Sequence, residues 1–369
     1  MRFTSVIAGA ATVLLVSTPH VWAQTLTTLY NFSGGADGAA PEGVIFQAGM
    51  LYGATLTGGA QGLGTVFAFD LASKQETTLY TFQGGADGAS PLTGVVYLAG
   101  KLYGTTSQAG QFGTGTVYAI DIATGQQTTL YNFTQPLDAE PNALTVQGDM
   151  LFGTTRQNGR TGHGTLFAIN LKTTKTNVLH KFGSSRTGQT PAAPVLAASG
   201  RLYGTTLAGG RSCGQPGCGT IYGLNPKTEQ FAVLHSFASQ EGFAPSGALA
   251  EHNNILYGAM QDGGGAAGTV FAYNLSTNAL VSYSVGGAPA FGVAYAQQHV
   301  YGSHDDQTGS AGALFDVDLN TGTVKDIYTF TGGNDGRWPG PLVYQNNLLF
   351  GVTSAGGTTG AGTLFSFTP

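Results

Sequence analysis

The chain has 369 residues, of which 59 are glycine and 14 are proline, and only 9% are charged, with a formal net charge of −5. Because 41% of the residues are hydrophobic and 11% are aromatic, there is enough apolar surface to drive folding, which argues against disorder. Glycine does not recur at every third position, which excludes collagen. It also interrupts most segments that could form a helix, which excludes a protein built of long helices. An all-β chain rich in turns remains.

The first 23 residues have the pattern of a secretory signal peptide. Arg2 gives a positive start, Val6 to Val16 is a short apolar run, and Val21-Trp22-Ala23 approximates a cleavage site. The run is too short for a membrane anchor, which is the alternative, and no later segment is long and apolar enough to span a bilayer. We therefore expect cleavage after Ala23 and a secreted or periplasmic domain of residues 24–369. Its negative charge argues against nucleic acid as a partner.

A short motif recurs seven times along the chain. Its copies are Leu51-Tyr52-Gly53, Leu102-Tyr103-Gly104, Leu151-Phe152-Gly153, Leu202-Tyr203-Gly204, Leu256-Tyr257-Gly258, Val300-Tyr301-Gly302 and Leu349-Phe350-Gly351. Three more β-prone runs accompany each copy, such as Gly64 to Phe67, Thr78 to Phe82 and Gly94 to Tyr97. Four short strands in about 50 residues are typical of one propeller blade, so seven repeats predict a seven-bladed β-propeller.

The two ends of the chain favour a closed ring. Thr25 to Phe32 has the pattern of an outermost strand with no blade before it, whereas the last repeat stops at Pro369 without that strand. We predict that the N-terminal strand completes the last blade, which leaves no exposed edge between the ends. An open solenoid, the alternative, would need atypical capping repeats.

Loop lengths predict two unequal faces of the ring. Strands one and two, and strands three and four, are joined by tight turns, whereas the two other connections are longer and rich in glycine. Antiparallel alternation places both long connections on one face. A functional site is expected on that face or at the mouth of the central channel.

Two cysteines, Cys213 and Cys218, lie five positions apart in a glycine-rich loop. In an oxidising compartment they are expected to form a disulfide. The alternative is a free or metal-binding pair, but two thiolates alone make a poor zinc site and no histidine is near in sequence.

The repeats resemble the GloVer (Gloeobacter and Verrucomicrobia) tandem-repeat family. That family has the pattern L-Y-x-F-x-G-G-x-D-G-x-x-P, an apolar strand, and L-Y-G-T-T-x-x-G-G-x-x-G-x-G-T-V-F. Leu79 to Tyr118 matches it almost position by position, with Tyr118 where the family has Phe. The resemblance covers nearly all of the mature chain and implies an extracellular, propeller-like protein. Members often carry C-terminal surface anchors, and because this chain ends with its last strand, we expect release. The resemblance implies no catalytic residue.

Three aspartates occupy equivalent positions in the Gly-Gly-x-Asp-Gly loops: Asp37, Asp87 and Asp335, with Asp138 a looser match. One hypothesis is weak calcium binding by carboxylate and loop carbonyls. The structural alternative, in which each aspartate accepts hydrogen bonds from its own turn, is favoured because the pattern recurs and each loop has only one carboxylate.

Residues that break the repeat are the candidates for function, because scaffold requirements recur in every blade and ligand contacts do not. They are Arg156, Arg160 and His163 in the third repeat, His304, Asp305 and Asp306 in the sixth, and Arg337 and Trp338 before the seventh. Together they provide acid–base groups, anion-binding arginines and an aromatic platform, which suit a uronate or other sugar. The third and sixth repeats lie across the ring, so their side chains meet only near the axis. Sequence drift on a solvated face is the alternative. His180, His235, His252 and His299 are interpreted as surface or filler residues.

The sequence thus predicts a secreted binding module for a carbohydrate or a cell-surface partner, with no cofactor. One alternative is an extracellular polysaccharide lyase or glycosidase that uses His163, His304, Asp305 and Arg156 around the channel mouth. Another is a structural envelope protein. No serine-nucleophile motif, Walker loop or metal-spaced histidine pair is present.

Overall fold

The computed structural model describes residues 24–134, 139–157, 162–183, 186–192, 196–198, 200–211, 213–214, 216–263, 268–289, 291–305 and 310–369. The predicted signal peptide lies outside the described residues, as do Asp138, Arg160 and Asp306. No helix in the described part of the chain is long and apolar enough to cross a membrane.

The described chain consists of strands in seven antiparallel sheets, which are the seven blades of a β-propeller. Strand β1 (Thr25–Asn31) belongs to the last blade. Blade 1 consists of β2 (Ala39–Gln47), β3 (Met50–Thr57), β4 (Thr65–Asp70) and β5 (Gln75–Thr81). Blade 2 consists of β6 (Val96–Leu98), β7 (Lys101–Thr106), β8 (Thr116–Asp121) and β9 (Gln127–Asn132). Blade 3 consists of β10 (Ala139–Gln147), β11 (Met150–Gln157), β12 (Thr165–Asn170) and β13 (Thr176–Lys181).

The innermost strand is divided into two short pieces in blades 4 and 7, where both pieces pair with the same neighbour. The strands of blades 4 to 7 are β14 (Gln189–Pro191), β15 (Leu196–Ala198), β16 (Arg201–Ala208), β17 (Thr220–Asn225) and β18 (Gln230–Ser236); β19 (Phe243–His252), β20 (Ile255–Asp262), β21 (Gly268–Asn274) and β22 (Leu280–Val285); β23 (Ala294–Ala296), β24 (His299–His304), β25 (Ala313–Asp318) and β26 (Thr323–Thr329); β27 (Arg337–Pro339), β28 (Val343–Gln345), β29 (Leu348–Ala355) and β30 (Thr363–Thr368).

The ring is closed by the N-terminal strand, as the sequence predicted. Strand β1 pairs antiparallel with β30, with Leu26 opposite Phe367 and Asn31 opposite Thr363. The amide of Phe32 donates to the carbonyl of Gly362 at 3.1 Å. The last blade therefore takes its outermost strand from the start of the chain and its other strands from the end.

Aromatic residues form the core between neighbouring blades. In six of the seven blades a phenylalanine follows the outer strand and packs against a ring on the next blade, as Phe32 does against Phe67, with ring centroids 5.0 Å apart, and Phe82 against Tyr118 at 5.1 Å. The outer strand of blade 5 is followed by Gly286 instead. Because blades cover each other's faces, the third strand of a blade is buried on both sides, as in β4. Each such ring contributes about 1.5–3 kcal/mol by burial.

Two glycine positions are fixed by close approach. A Cβ atom on Gly53, in the Leu-Tyr-Gly motif, would lie 2.6 Å from the ring of Phe67, so this glycine leaves room for the aromatic side chain. Near the axis, a Cβ atom on Gly247 would lie 2.0 Å from the backbone nitrogen of Gly292 in the next blade. Glycine therefore allows the innermost strands to meet around the axis.

The two faces of the ring carry different connections. On one, the tight-turn face, two-residue turns such as Ala48–Gly49 (φ 50° and 85°) join the first two strands of a blade. On the other, the long-loop face, lie the glycine-rich loops, including the one with Cys213 and Cys218. These two cysteines form a disulfide with a Cα–Cα distance of 5.5 Å, as expected.

Candidate functional site

The aspartates of the Gly-Gly-x-Asp-Gly loops hold the outer strand to the loop that follows it. Asp87 accepts hydrogen bonds from the Tyr80 hydroxyl at 2.9 Å, the Gln83 amide at 2.8 Å and the Gly85 amide at 3.1 Å. This arrangement, the Tyr–Asp contact, recurs between Tyr30 and Asp37 at 3.0 Å.

The third copy joins Tyr328 and Asp335, also at 3.0 Å. Burial and this hydrogen bond raise the pKa of Tyr328 to about 12. Among the described residues, no group of three or more histidine, cysteine or acidic side chains could hold a metal ion.

On the outer strand of blade 4, a histidine and a glutamate replace the Tyr–Asp contact. His235 Nε2 lies 2.9 Å from Glu241 Oε2, which also accepts the amide of Ala238 at 2.8 Å. This blade lacks the glycine pair, and its acid follows Phe237 by four positions, whereas Asp87 follows Phe82 by five. The longer glutamate thus spans a shorter loop. Sequence analysis did not identify Glu241, because the glycine signature is absent.

The other three isolated histidines also have scaffold contacts. His180 stacks on Phe231 with centroids 3.6 Å apart, and burial lowers the pKa of His180 to about 4. His252 stacks on Tyr295 at 4.3 Å, and His299 Nδ1 lies 2.7 Å from an Asp316 carboxylate oxygen.

His304 is buried inside blade 6 and takes the place of a scaffold threonine. In blades 1–4 and 7 the second threonine of the Leu-Tyr-Gly-Thr-Thr motif contacts a threonine on the next strand, as in Thr106 and Thr116 at 2.9 Å. In blade 6 the partner position is Ala313, and His304 Nε2 instead lies 2.9 Å from Asp326 Oδ1. Among the described residues its Nδ1 has no hydrogen-bond partner.

Asp305 and Trp338 lie with His304 around a cavity of only about 30 Å³. This has room for one or two water molecules and none for a sugar ring. Trp338 is 46% exposed, and the guanidinium carbon of Arg337 lies 4.1 Å from the ring centroid, so one face of the aromatic platform is covered.

His163 has a backbone contact that recurs in other blades. Its carbonyl accepts the amide of Thr190 at 2.9 Å, as the carbonyl of Leu63 accepts that of Ser90. The His163 side chain lines neither the small cavity beside His304 nor the axial cavity described next. Neither of these two cavities is lined by both His163 and His304.

A larger cavity, of about 190 Å³, lies at the ring axis on the long-loop face and is called the axial cavity below. It is axial because five consecutive blades contribute to its wall. The lining residues are Thr93, Asn142, Ala143, Arg156, Ala192, Leu207, Ser246, Gly247, Gln261 and Phe291.

Arg156 is the one charged side chain among the described residues that line the axial cavity. It is exposed and forms no ion pair with any residue that the structure describes.

The polar groups around Arg156 are held by the scaffold: Asn142 Nδ2 donates to Pro191 O at 2.9 Å, and Ser246 Oγ donates to Pro289 O at 3.0 Å. Gln261 occupies in blade 5 the position that Arg156 occupies in blade 3. The wall therefore combines one cation with neutral hydrogen-bonding groups.

Glu42 is a second departure from the repeat near the axis. It follows Pro41 at the start of the innermost strand, as Asn142 and Ser246 follow their prolines. Burial raises the pKa of Glu42 to about 7. Sequence analysis missed this residue, although the signal was present, since no other repeat has an acid at this position.

The fold and its axial cavity define a seven-bladed β-propeller with a cavity at the axis on the long-loop face. The chain belongs to the Gloeobacter/Verrucomicrobia repeat family, whose pattern matches residues 15–150 and 138–307. No curated protein matches it in sequence.

Several solved structures share the fold. An oligogalacturonate lyase in complex with manganese is 12% identical with a TM-score of 0.57, over 86% of this chain and 85% of that one. The oligogalacturonate lyase VPA0088 from Vibrio parahaemolyticus is 8% identical with a TM-score of 0.56, over 93% of each chain. The extracellular domain of BT4673 from B. thetaiotaomicron is 10% identical with a TM-score of 0.61, over 92% of this chain and 40% of that one. At these identities the likeness concerns the fold alone.

Proposed function

We propose that this protein is a secreted binding module that holds an acidic saccharide in the axial cavity. The observation that carries the proposal is the placement of Arg156, a lone cation among neutral hydrogen-bonding groups in a wall built by five blades. A guanidinium binds a carboxylate through two parallel N–H groups, and the amide and hydroxyl groups beside it suit sugar hydroxyls. The volume of about 190 Å³ suits one sugar unit of a longer chain that continues across the long-loop face.

The geometry favours binding over cleavage. No histidine and no carboxylate is among the described residues that line the axial cavity. His304 and Asp305 face a cavity too small for a sugar. A lyase or glycosidase needs an acid–base group within hydrogen-bond reach of its substrate.

Secretion is part of the same proposal. The Cys213–Cys218 disulfide suits an oxidising compartment, and the sequence before Gln24 has the pattern of a signal peptide. Two lyases of this fold are described as acting on oligogalacturonate, an acidic saccharide, but the proposal rests on the axial cavity of this chain.

The test is calorimetric titration of the mature protein with oligogalacturonates and with neutral oligosaccharides of the same length. We expect an oligogalacturonate to bind, and Arg156→Ala to weaken its binding about tenfold to a hundredfold, which corresponds to the loss of a charge-assisted contact. Binding should weaken as salt increases, because an exposed cation carries it. Arg201→Ala, which removes the same charge from the tight-turn face, is the matched control and should bind as the wild type does.

Failure of all acidic saccharides to bind, or equal loss in both arginine variants, would contradict the proposal. The same samples are followed by ultraviolet absorbance and reducing-end assay. Release of an unsaturated or reducing product would replace the binding module with the lyase or glycosidase alternative.

A further inference from the structure

Another cavity bounded by described residues lies on the tight-turn face, opposite the axial cavity. It has a volume of about 560 Å³ and lies between blades 6 and 7, where the residues that matter here are Gln297, Tyr301, Tyr344, Asn346 and Asn347. This volume is within the range of about 300–1,000 Å³ found for small-molecule sites. No charged side chain is among its described lining residues.

The turns that border this cavity carry amide side chains where blades 1 and 2 have Ala-Gly; blade 5, which does not border the cavity, also has an amide pair, Asn253–Asn254. Blade 6 has Gln297–Gln298, with φ values of 50° and 66°, and blade 7 has Asn346–Asn347, with 53° and 62°. Blade 2 makes the same turn with Ala99–Gly100. Both positions require a left-handed backbone, which glycine and asparagine adopt easily and glutamine does not. The turn alone therefore does not explain glutamine at both positions of blade 6.

Hydrogen bonds fix the orientation of these amides. Asn347 Oδ1 accepts from the Tyr344 hydroxyl at 3.0 Å and from Gln297 Nε2 at 3.3 Å. Asn346 Oδ1 accepts from Gln345 Nε2 at 3.2 Å. With both oxygens engaged, the Nδ2 groups of Asn346 and Asn347 have no acceptor among the described residues and remain available as donors.

Two tyrosine rings lie beside the amides: Tyr301 is buried between His299 and Tyr344, and Tyr344 is half-buried and supplies the accessible aromatic surface. The rings of Tyr301 and Tyr344 are nearly parallel, with an interplanar angle of 7° and centroids 6.1 Å apart. A neutral sugar presents an apolar ring face that packs on an aromatic side chain and a rim of hydroxyls that accept from amide N–H groups. We infer that the cavity between blades 6 and 7 is a binding site for a neutral saccharide, independent of the function proposed for the axial cavity.

The test replaces the amide turn by the small turn that the scaffold uses elsewhere. The double variant Asn346→Ala with Asn347→Gly reproduces the Ala-Gly turn of blade 2, so the fold is preserved while both amides are lost. The mature protein is titrated with cellohexaose, maltohexaose, xylohexaose and mannohexaose. We expect at least one to bind, with an affinity that is independent of salt and falls about tenfold in the double variant, as two lost hydrogen bonds imply.

The matched control is Asn253→Ala with Asn254→Gly, which makes the same change in the equivalent turn of blade 5, away from this cavity. It should bind as the wild type does, and thermal unfolding checks that both variants are folded. Absence of binding by all four neutral saccharides overturns the inference, as does equal affinity in the wild type and the Asn346–Asn347 variant. Titration with oligogalacturonate separates the two sites, because its binding depends on Arg156 and not on this turn.

Discussion

Side chains that depart from the repeat fall into two groups with different meanings. Some rebuild a scaffold contact from other atoms: His235 and Glu241 replace the Tyr–Asp contact, and His304 with Asp326 replaces a threonine pair. Others add a group that the scaffold does not use, as Arg156 does at the axial cavity. Only the second group is informative about ligands. Departure from the repeat is therefore necessary but not sufficient evidence of function.

Strand alternation separates the two groups in physical terms. Successive side chains of a strand point to opposite faces, so His304 and Asp305 have different environments although both border the small cavity. His304 has the phase of the buried threonines such as Thr106, whereas Asp305 has the phase of Arg156. The sequence identified these positions but treated them as one cluster. Their different positions within the repeated motif would have distinguished His304, at a scaffold position, from Asp305.

Glu42 should make stability depend on pH. Burial raises the pKa of its carboxyl from 4.5 to about 7, so the folded protein retains a proton that the unfolded chain releases. The stability from this proton is present below about pH 4.5 and is lost as the pH rises through about 7. Glu42→Gln cannot ionise, so we expect a melting temperature a few degrees above that of the wild type at about pH 8 and close to it at about pH 4.5.

Thermal unfolding at both pH values checks this expectation. Glu229→Gln, a substitution at an exposed glutamate, is the control and should change neither value. Burial also raises the pKa of Glu76 to about 7, so part of the pH dependence of stability should remain in the Glu42→Gln variant. An equal gain for Glu42→Gln at the two pH values would show that ionisation is not the cause.

In blades 1, 4, 6 and 7 the outer strand is fixed by a polar contact as well as by packing. The Tyr–Asp contact lies where the chain leaves one blade for the next, so it links the outer strand to the loop on the long-loop face. From the recurrence of Asp37, Asp87 and Asp335 the sequence predicted hydrogen bonds within each turn, but not the contact with the outer-strand tyrosine. It could not predict the version on the outer strand of blade 4, because a loop that is one residue shorter and a side chain that is one methylene longer compensate only in three dimensions.

Removing Asp87 should destabilise the outer strand of blade 1 more than removing the hydroxyl of Tyr80. Asp87→Ala leaves three donors without their acceptor and should cost about 2–3 kcal/mol, whereas Tyr80→Phe should cost about 1 kcal/mol. Because the two groups touch, the double variant should lose less than the sum of the single losses. Chemical denaturation of the three variants measures these differences.

Asp149→Ala is the control for loss of an acidic side chain. Asp149 pairs with Lys172 on the surface, where both side chains are more than half exposed, and such pairs contribute little. A loss as large as that of Asp87→Ala would indicate that charge in general, rather than the Tyr–Asp contact, stabilises the blade. Strictly additive losses at Tyr80 and Asp87 would show that the two groups are not coupled.

At the scale of the whole molecule, the ring depends on the pairing of the two ends of the chain. Strand β1 covers the edge of β30, and Phe32 is fully buried against Phe67 of the first blade. The sequence predicted this closure because the repeat indicates four strands per blade. The last repeat lacks its outer strand, and a segment with the pattern of that strand stands at the N-terminal end. The binding cavities were harder to predict, because each is assembled from side chains that occur once.

A chain that begins at Ser33 should therefore be less stable and prone to self-association. It loses the aromatic contact of Phe32, which is worth about 3–5 kcal/mol, and it exposes the edge of β30. We expect a lower melting temperature and concentration-dependent oligomers in light scattering. A peptide of residues Thr25 to Phe32 added in excess should restore both properties.

The matched control is the chain that begins at Gln24, which retains β1 and should remain monodisperse. A scrambled peptide with the same composition should have no effect on the shortened chain. If the chain that begins at Ser33 melts at the same temperature as the control, β1 does not contribute to closure in solution.

The shared last blade also bears on how such rings change their size in evolution. Because β1 supplies the outer strand of the last blade, the boundaries of the sequence repeat and of the structural blade do not coincide. At the point of closure they are offset by one strand. Duplication or deletion of one internal unit would leave the terminal strands able to pair with each other. Recombination between repeats could then produce rings of six or eight blades, each still closed by the same two ends.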